Sequence, residues 1–432
     1  MAEIENQSSK LHAFIVFDAI PPTKEAQDPT IYWFYSQKEQ AENFKLNITG
    51  LLITFINFCE KWGTSEPCDY IDTKDHEIGL LKLCGPIWMA ISLNSPMTNK
   101  RSLMSSLLGY CKMMFSHFFV PIPEDDSNFG QNDLKKLISK IPEGFKYIVE
   151  SINWNSLDIT YLYDSYHAQA VQVQLPEGEN DINAICQDIL NQQPKYFDNI
   201  IILYSKHRVI YTTLNPTITR AISFAMRKKF KYMYLHNPIC QSEFSWLLGL
   251  YADARGMTSI YQQPIYYDGK PHLFVAFKYH KFKIILTIPT DLILSDQTYL
   301  EMPSRLKKLN KALKVCYPKP IPFSPIPYTR ALNDGNKLTC QSDKFAPKDH
   351  QFVHQAFIHL HEISKTYSPT SSSILVPSEN HYYILCVHCE NAESLVASQK
   401  EDEGLYRNLN TCQIIQRLRE NSQKQRSVCN IV

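Results

Sequence analysis

Between His12 and Phe118 the apolar pattern changes period several times, and a chain that does so must mix strands with helices. His12 to Asp18 is a short apolar run closed off by Pro21-Pro22, and Thr30 to Tyr35 is β-branched and aromatic. Both read as strands. From Leu46 the spacing becomes helical, with Ile48, Leu51, Leu52, Phe55, Ile56 and Cys59 falling on one face. Ile78 to Leu83 and Pro86 to Leu93 read as two more strands, turning at Cys84-Gly85. Ser102 to Phe118 returns to helix and buries Leu103, Leu107, Leu108, Cys111, Phe115 and Phe118. Pro121, Pro123 and the polar run Glu124 to Asn128 then close the unit.

The alternation continues downstream. Ile182, Ile185, Cys186, Ile189 and Leu190 mark a helix, and Phe197–Leu203 with Val209–Leu214 reads as a hairpin. A helix follows from Pro216, where a missing N–H costs nothing. A further hairpin is expected at His272–Phe277 and Phe282–Ile288, then a helix from about Ser304 to Cys316. Tyr317 to Tyr328 carries five prolines and reads as extended. A helix over Pro347–Lys365 and a strand over His381–Val387 complete the pattern. The reading is α+β, with three antiparallel-sheet and helix sandwiches in series. They are expected at 11–123, 133–236 and 270–396. Residues 237–269 would connect the last two, 317–328 would be a proline-rich insertion, and 397–432 a polar basic tail.

Composition removes several functions. Lys+Arg number 44 against 43 Asp+Glu, without the basic excess of a nucleic-acid binder. Only 13 glycines occur, about 3% against a usual ~7%. Neither GxGxxG nor GxxxxGK[ST] is present, so no nucleotide cofactor is expected. The 12 cysteines lack paired spacing, no secretory leader precedes them, and no run approaches ~18 apolar residues. These features read as a cytoplasmic chain with reduced thiols.

Catalytic and metal signatures are equally thin. His350, His354 and His361 share a helical stripe, but His361 lies about two turns on, ~10 Å from the others. The stripe reads as a solvated face rather than a metal centre. Cys386-Val387-His388-Cys389 is a lone CxxC in a strand, where positions three apart lie on opposite faces. No GxSxG or HExxH occurs, and no enzyme activity, metal or cofactor is expected.

Charge and termini suggest surfaces instead. Arg227, Lys228 and Lys229 end a helix, where cations complement the dipole. Lys307, Lys308 and Lys311 oppose Leu306, Leu309 and Leu313, so the leucines read as core and the lysines as facing solvent or an anionic membrane. Cys429, fourth from the end, has the layout of a prenylation signal with basic residues upstream. The prolines 318, 320, 322, 325 and 327 read as a spacer.

An ordered set of segments resembles a known family. Phe14-Ile15-Val16-Phe17-Asp18, Pro22-Thr23-Lys24-Glu25 and Ile31-Tyr32-Trp33-Phe34-Tyr35 are similar to the opening of the Ccz-one vacuolar fusion family. The likeness runs on through Ile48-Thr49-Gly50-Leu51, Tyr70-Ile71-Asp72-Thr73-Lys74, Ile87-Trp88-Met89-Ala90-Ile91 and Asn94-Ser95-Pro96. It covers roughly the first 120 residues, and Ile326 to Asn333 also looks like a family segment.

The resemblance implies three longin domains in series, at the boundaries given above. It implies a Mon-one-like tri-longin partner, the pair acting as guanine nucleotide exchange factor for a late-endosomal Rab GTPase of the Rab seven type. It also implies peripheral attachment to late-endosomal, vacuolar or lysosomal membranes through anionic or phosphoinositide lipid. Related tri-longin proteins, the Hermansky–Pudlak proteins and Inturned, serve other Rab GTPases or planar polarity. Exchange needs no acid, base or metal from the exchange factor, only a surface that favours the nucleotide-free GTPase. The first domain is expected to supply half of that platform, with Ile48, Asn57, Glu60, Trp88, Ile91 and Asn94 nearest the GTPase or partner. Trp88 also suits the core. The rival reading is a scaffold or tether subunit without exchange activity, or an exchange subunit for a different Rab.

Overall fold

Two strands that are apolar on both faces organise the first sheet. The computed structural model describes residues 10–22, 27–62, 68–73, 76–94, 101–122, 130–152, 154, 173–174, 179–192, 197–204, 208–227, 240–241, 244–252, 258–260, 263–290, 299, 301–302, 304, 306–315, 319–320, 328–333, 338–341, 372–377, 382–389 and 392–399. Its first elements are β1 (Lys10–Asp18), β2 (Ile31–Tyr35), α1 (Glu42–Lys61), β3 (Tyr70–Asp72), β4 (Glu77–Cys84), β5 (Ile87–Asn94), α2 (Arg101–Phe118) and α3 (Gln131–Ser151). The sheet is antiparallel in the order β2-β1-β5-β4-β3. Ala13 to Phe17 and Ile87 to Leu93 are buried throughout, because β1 and β5 are central and covered on both sides. That is why they read as continuous runs rather than alternating ones.

Helix α1 covers one face, setting Leu52, Ile53 and Ile56 against Ile15, Phe17, Trp88 and Ala90. Helices α2 and α3 cover the other. Phe145 of α3 meets Phe14 at 5.6 Å and Phe115 of α2 at 4.7 Å between ring centroids. The second domain was expected to begin at 133, yet α3 packs on the first sheet and completes the first sandwich. Strand β3 and helix α3 are additions to the order read from the sequence, and the β4–β5 turn falls at Gly85-Pro86, one residue later than expected.

The second sheet is assembled from distant segments. After β6 (Val173–Gln174) and α4 (Glu179–Gln192) come β7 (Asn199–Tyr204), β8 (Arg208–Thr212), α5 (Pro216–Arg227), β9 (Cys240–Gln241), β10 (Phe244–Leu248), β11 (Leu250–Ala252), β12 (Thr258–Ile260), β13 (Gln263–Tyr267), β14 (Lys270–Tyr279), β15 (Phe282–Pro289), α6 (Lys307–Val315) and β16 (Lys319–Pro320). The sheet order is β8-β7-β15-β14-β10-β9, with β13 also on β14. The β14–β15 hairpin, expected to open the third domain at 270, instead pairs with β7 from Phe282↔Tyr204 to Thr287↔Asn199. The boundary drawn over 237–269 therefore cuts through one sheet. The stretch contains β10 and β13, both paired to β14. Leucines 306, 309 and 313 of α6 and Ile182, Cys186 and Ile189 of α4 pack on one face.

The other face rests on α2. Phe118 meets Phe274 at 6.2 Å and Tyr110 meets Phe224 of α5 at 5.1 Å between ring centroids. His117 Nδ1 lies 2.7 Å from the Tyr266 carbonyl oxygen. With one sheet on each side, α2 buries most of its circumference and keeps Arg101, Ser105, Lys112 and Ser116 along one narrow polar stripe.

A separate unit comprises 158–166 and 322–432. Its strands are β17 (Tyr328–Asn333), β18 (Leu338–Gln341), β19 (Ser372–Pro377), β20 (Tyr382–Cys389) and β21 (Ala392–Gln399), in the antiparallel order β18-β17-β21-β20-β19. Counting strands within this sheet, the order is second, first, fifth, fourth, third, as it is in the first sheet. In the second sheet β7, β8, β10, β14 and β15 repeat it, with the second-to-third connection there made through α5.

Candidate functional site

Helix α1 carries two apolar stripes. Thr49, Leu52, Ile53 and Ile56 face the sheet and are buried. Leu51, Phe55, Phe58 and Trp62 recur at steps of four, three and four, so they form a second stripe turned away from it. They are 45%, 38%, 55% and 75% exposed. The sequence reading placed Leu51 and Phe55 on the buried face. With apolar residues at both 51–52 and 55–56 the period fits two faces, and the sheet selects one of them. Phe58 and Trp62 stack with ring centroids 5.6 Å apart.

The β1–β2 connection runs beside this stripe and is held to it. Asn57 Nδ2 donates to the Ala19 carbonyl at 3.0 Å and to the Ile53 carbonyl at 2.8 Å. Asp18 accepts from the Ile20 N–H at 2.8 Å and from the Tyr32 hydroxyl at 3.1 Å. Burial, together with the Asp18 carboxylate, pushes the Tyr32 hydroxyl up to about 12, so it remains a donor. Between connection and helix lies a groove of about 520 Å³ whose walls include Pro21, Pro22, Pro29, Asn57, Phe58 and Trp62. Ile20, in the same connection, is 59% exposed. Strand β2 forms the sheet's edge and, among the described strands, pairs only with β1. Trp33 and Tyr35 stack along it at 5.9 Å. An apolar helix stripe beside a sheet edge can take up a second protein by burying the one and extending the other.

The residues singled out from sequence divide. Asn57 and Glu60 lie on α1 beside the exposed stripe, Asn57 half-buried and Glu60 exposed. Ile48 is half-buried against the core. Trp88 and Ile91 are 5% and 0% exposed. Expected near a partner, they are interior instead, because β5 is covered on both faces. Asn94 ends β5 opposite Lys10. Arg227 ends α5, and Lys228 and Lys229 lie outside the described residues. Lys307, Lys308 and Lys311 are exposed on α6 opposite its buried leucines, with Lys308 3.7 Å from Asp188. His350, His354, His361 and Cys429 fall outside the described residues, and Cys386 to Cys389 lie within β20. Among the described residues no group of three metal-ligating side chains converges, and no helix is long and apolar enough to cross a membrane.

The first sandwich, five antiparallel strands between one helix and two, defines a longin-type domain. Residues 11–120, from β1 to the end of α2, match the family model for the first longin domain of INTU, CCZ1 and HPS4. No curated protein matches the chain. The opening domain is thus a longin domain of the kind shared by those three proteins.

Proposed function

We propose that this chain is one subunit of a heterodimeric guanine nucleotide exchange factor for a Rab GTPase in endosomal or vacuolar traffic. The carrying observation is the exposed Leu51–Phe55–Phe58–Trp62 stripe, whose Phe58 and Trp62 line a groove with Pro21, Pro22 and Pro29, on a longin domain of the INTU, CCZ1 and HPS4 kind. A Mon-one-like tri-longin partner covers that face, and the pair presents a surface that favours the nucleotide-free GTPase and so promotes GDP release. No bond chemistry is asked of the chain itself, and no cofactor. The exposed lysines of α6 support peripheral attachment to anionic or phosphoinositide lipid on late-endosomal, vacuolar or lysosomal membranes.

The test is release of labelled GDP from a panel of Rab proteins, measured with the chain and its co-purified partner. Accelerated release from one Rab, lost together with the partner in Phe58→Asp and Trp62→Asp, is the expected result. A pair that forms but accelerates no Rab points to the scaffold or tether reading. Unchanged pairing in both variants removes the docking face from the argument. Strand order gives the scaffold reading its own support, since three sheets of one order provide three docking modules.

A further inference from the structure

One end of the second sheet carries a charged turn that neither the docking face nor α6 uses. Lys278-Tyr279-His280-Lys281-Phe282-Lys283 holds three lysines and a histidine in six positions without an acid, in a chain of net charge +1. Lys278 stands directly opposite Lys283 across the β14–β15 hairpin, and His280 and Lys281 make the turn between the strands. Lys278, His280 and Lys281 are exposed, whereas Tyr279 and Phe282 are core residues at 1% and 3%. Lys283 is half-buried and has contacts of its own. Across the sheet the row reads Leu203, Lys283, Lys278, Ser245, again without an acid. We propose that Lys278, His280 and Lys281 form a binding site for anionic lipid headgroups at the tip of this hairpin, separate from the α6 lysines. The site rests on the peripheral attachment proposed above for its ligand class, and on a different part of the fold for its residues.

The hairpin gains nothing locally from these residues. Like charges directly opposite each other cost a strand pair stability. His280 adopts a φ of 48°, the left-handed region where glycine or asparagine is the usual hairpin residue. The β13–β14 turn of the same sheet meets that demand with Asp268-Gly269. Lysines often guard exposed sheet edges against further pairing, but β14 and β15 are interior strands, each paired on both sides. Local preference is broken twice at one turn, as expected where a site rather than folding sets the sequence.

The ligand class follows from the chemistry of the tip. A stable protein interface needs an apolar centre, and the apolar side chains of the turn, Tyr279 and Phe282, are buried in the sheet's own core. An anionic bilayer needs only charge, with each lysine brought near it strengthening binding about fivefold. The tip offers that charge and nothing else.

The full chain is co-sedimented with vesicles of phosphatidylcholine and phosphatidylserine, and with vesicles of phosphatidylcholine alone. Binding to the anionic vesicles, weakening as salt rises, is expected. Lys278→Ala with Lys281→Ala should weaken it about 25-fold, two lysines at about fivefold each. Lys278→Arg with Lys281→Arg keeps the charge and should retain binding, which separates lost charge from lost folding. Unchanged vesicle binding by the alanine pair overturns the proposal. If Lys307→Ala, Lys308→Ala and Lys311→Ala together abolish binding while the hairpin pair does not, the hairpin site fails and the α6 reading stands. Capture of a polyglutamate peptide without vesicle binding would make the turn a protein contact instead. Competition by inorganic phosphate at matched ionic strength would reassign it to a soluble phosphate. GDP release is measured in solution without vesicles, so its failure does not bear on the hairpin.

Discussion

The imidazole of His12 lies flat on that of His76, ring centroids 4.4 Å apart and planes 15° apart. Phe44 of α1 stands edge-on to His12 at 5.2 Å. His12 Nε2 is buried without a hydrogen-bond partner, so a proton gained by the His12 ring would be poorly solvated. Burial first, and the neighbouring His76 second, hold His12 below its ordinary value of 6.5. The folded chain therefore binds this proton less tightly than the unfolded chain. Its contribution to stability is complete above the unfolded value and is lost as the pH falls through the folded one. The urea midpoint should drop between about pH 7 and pH 5, and His12→Phe, which keeps a ring but cannot titrate, should shallow that drop. His117, also lowered by burial against an opposing bond to the Tyr266 carbonyl, keeps its own share. An unchanged slope in His12→Phe would refute the assignment.

Gly144 is required by close approach, not by backbone conformation. A Cβ there would sit 2.6 Å from Phe115 Cε2 and 3.1 Å from Phe119 Cγ. The Phe115 ring is held between Phe145 at 4.7 Å and Phe119 at 5.8 Å, so it has little room to retreat. Gly144→Ala should gain about 1 kcal/mol of helix propensity but lose about 1–3 kcal/mol to overpacking. A net loss of about 1 kcal/mol is expected in denaturant titration, and a variant as stable as the parent would show that α2 and α3 can separate freely.

What the sequence reveals here depends on how local the determining contact is. The run from Ala13 to Phe17 identifies a covered strand from its own residues. Helix α3 is harder to read, because Pro142 interrupts the pattern. The helix accommodates it at an exposed position, although an interior proline more often ends one. The β13–β14 hairpin turns at Asp268-Gly269, whose φ values of 51° and 70° suit a two-residue turn, a local signal that the reading of 237–269 as a connection passed over. Its membership of the second sheet has no such signal. Register such as Thr287↔Asn199 joins strands 88 residues apart, and period-2 patterning carries no label for which sheet a strand enters. The docking stripe stays hidden for a related reason. Leu51 and Leu52 are equally apolar, and only the covering sheet decides which is core.

That difference between neighbours is measurable. Leu52 is 0% exposed and Leu51 45%. Leu52→Ala should cost about 2–5 kcal/mol through lost burial and a residual cavity. Leu51→Ala should stay within about 0.5 kcal/mol for the isolated chain, as surface changes usually do, yet weaken capture of the partner. Equal losses of stability would mean that α1 is rotated relative to the sheet.

Helix α2 serves two sheets at once, and its loss should be felt by both. Phe118 lies 6.2 Å from Phe274 of β14, while four residues earlier in the helix Met114 is fully buried and Phe115 is stacked on α3. Phe118→Ala should cost about 3–5 kcal/mol. If the sheets are one cooperative body, amide hydrogen-exchange protection should fall together in β1 and β5 and in β14 and β15. A fall confined to β14 and β15 would make the second sheet an independently unfolding unit, with α2 belonging energetically to the first alone. The fused outcome is expected from the packing of the helix: Tyr110, Cys111, Met114, Phe115 and Phe118 are buried, while Arg101, Ser105 and Lys112 keep only one narrow stripe polar.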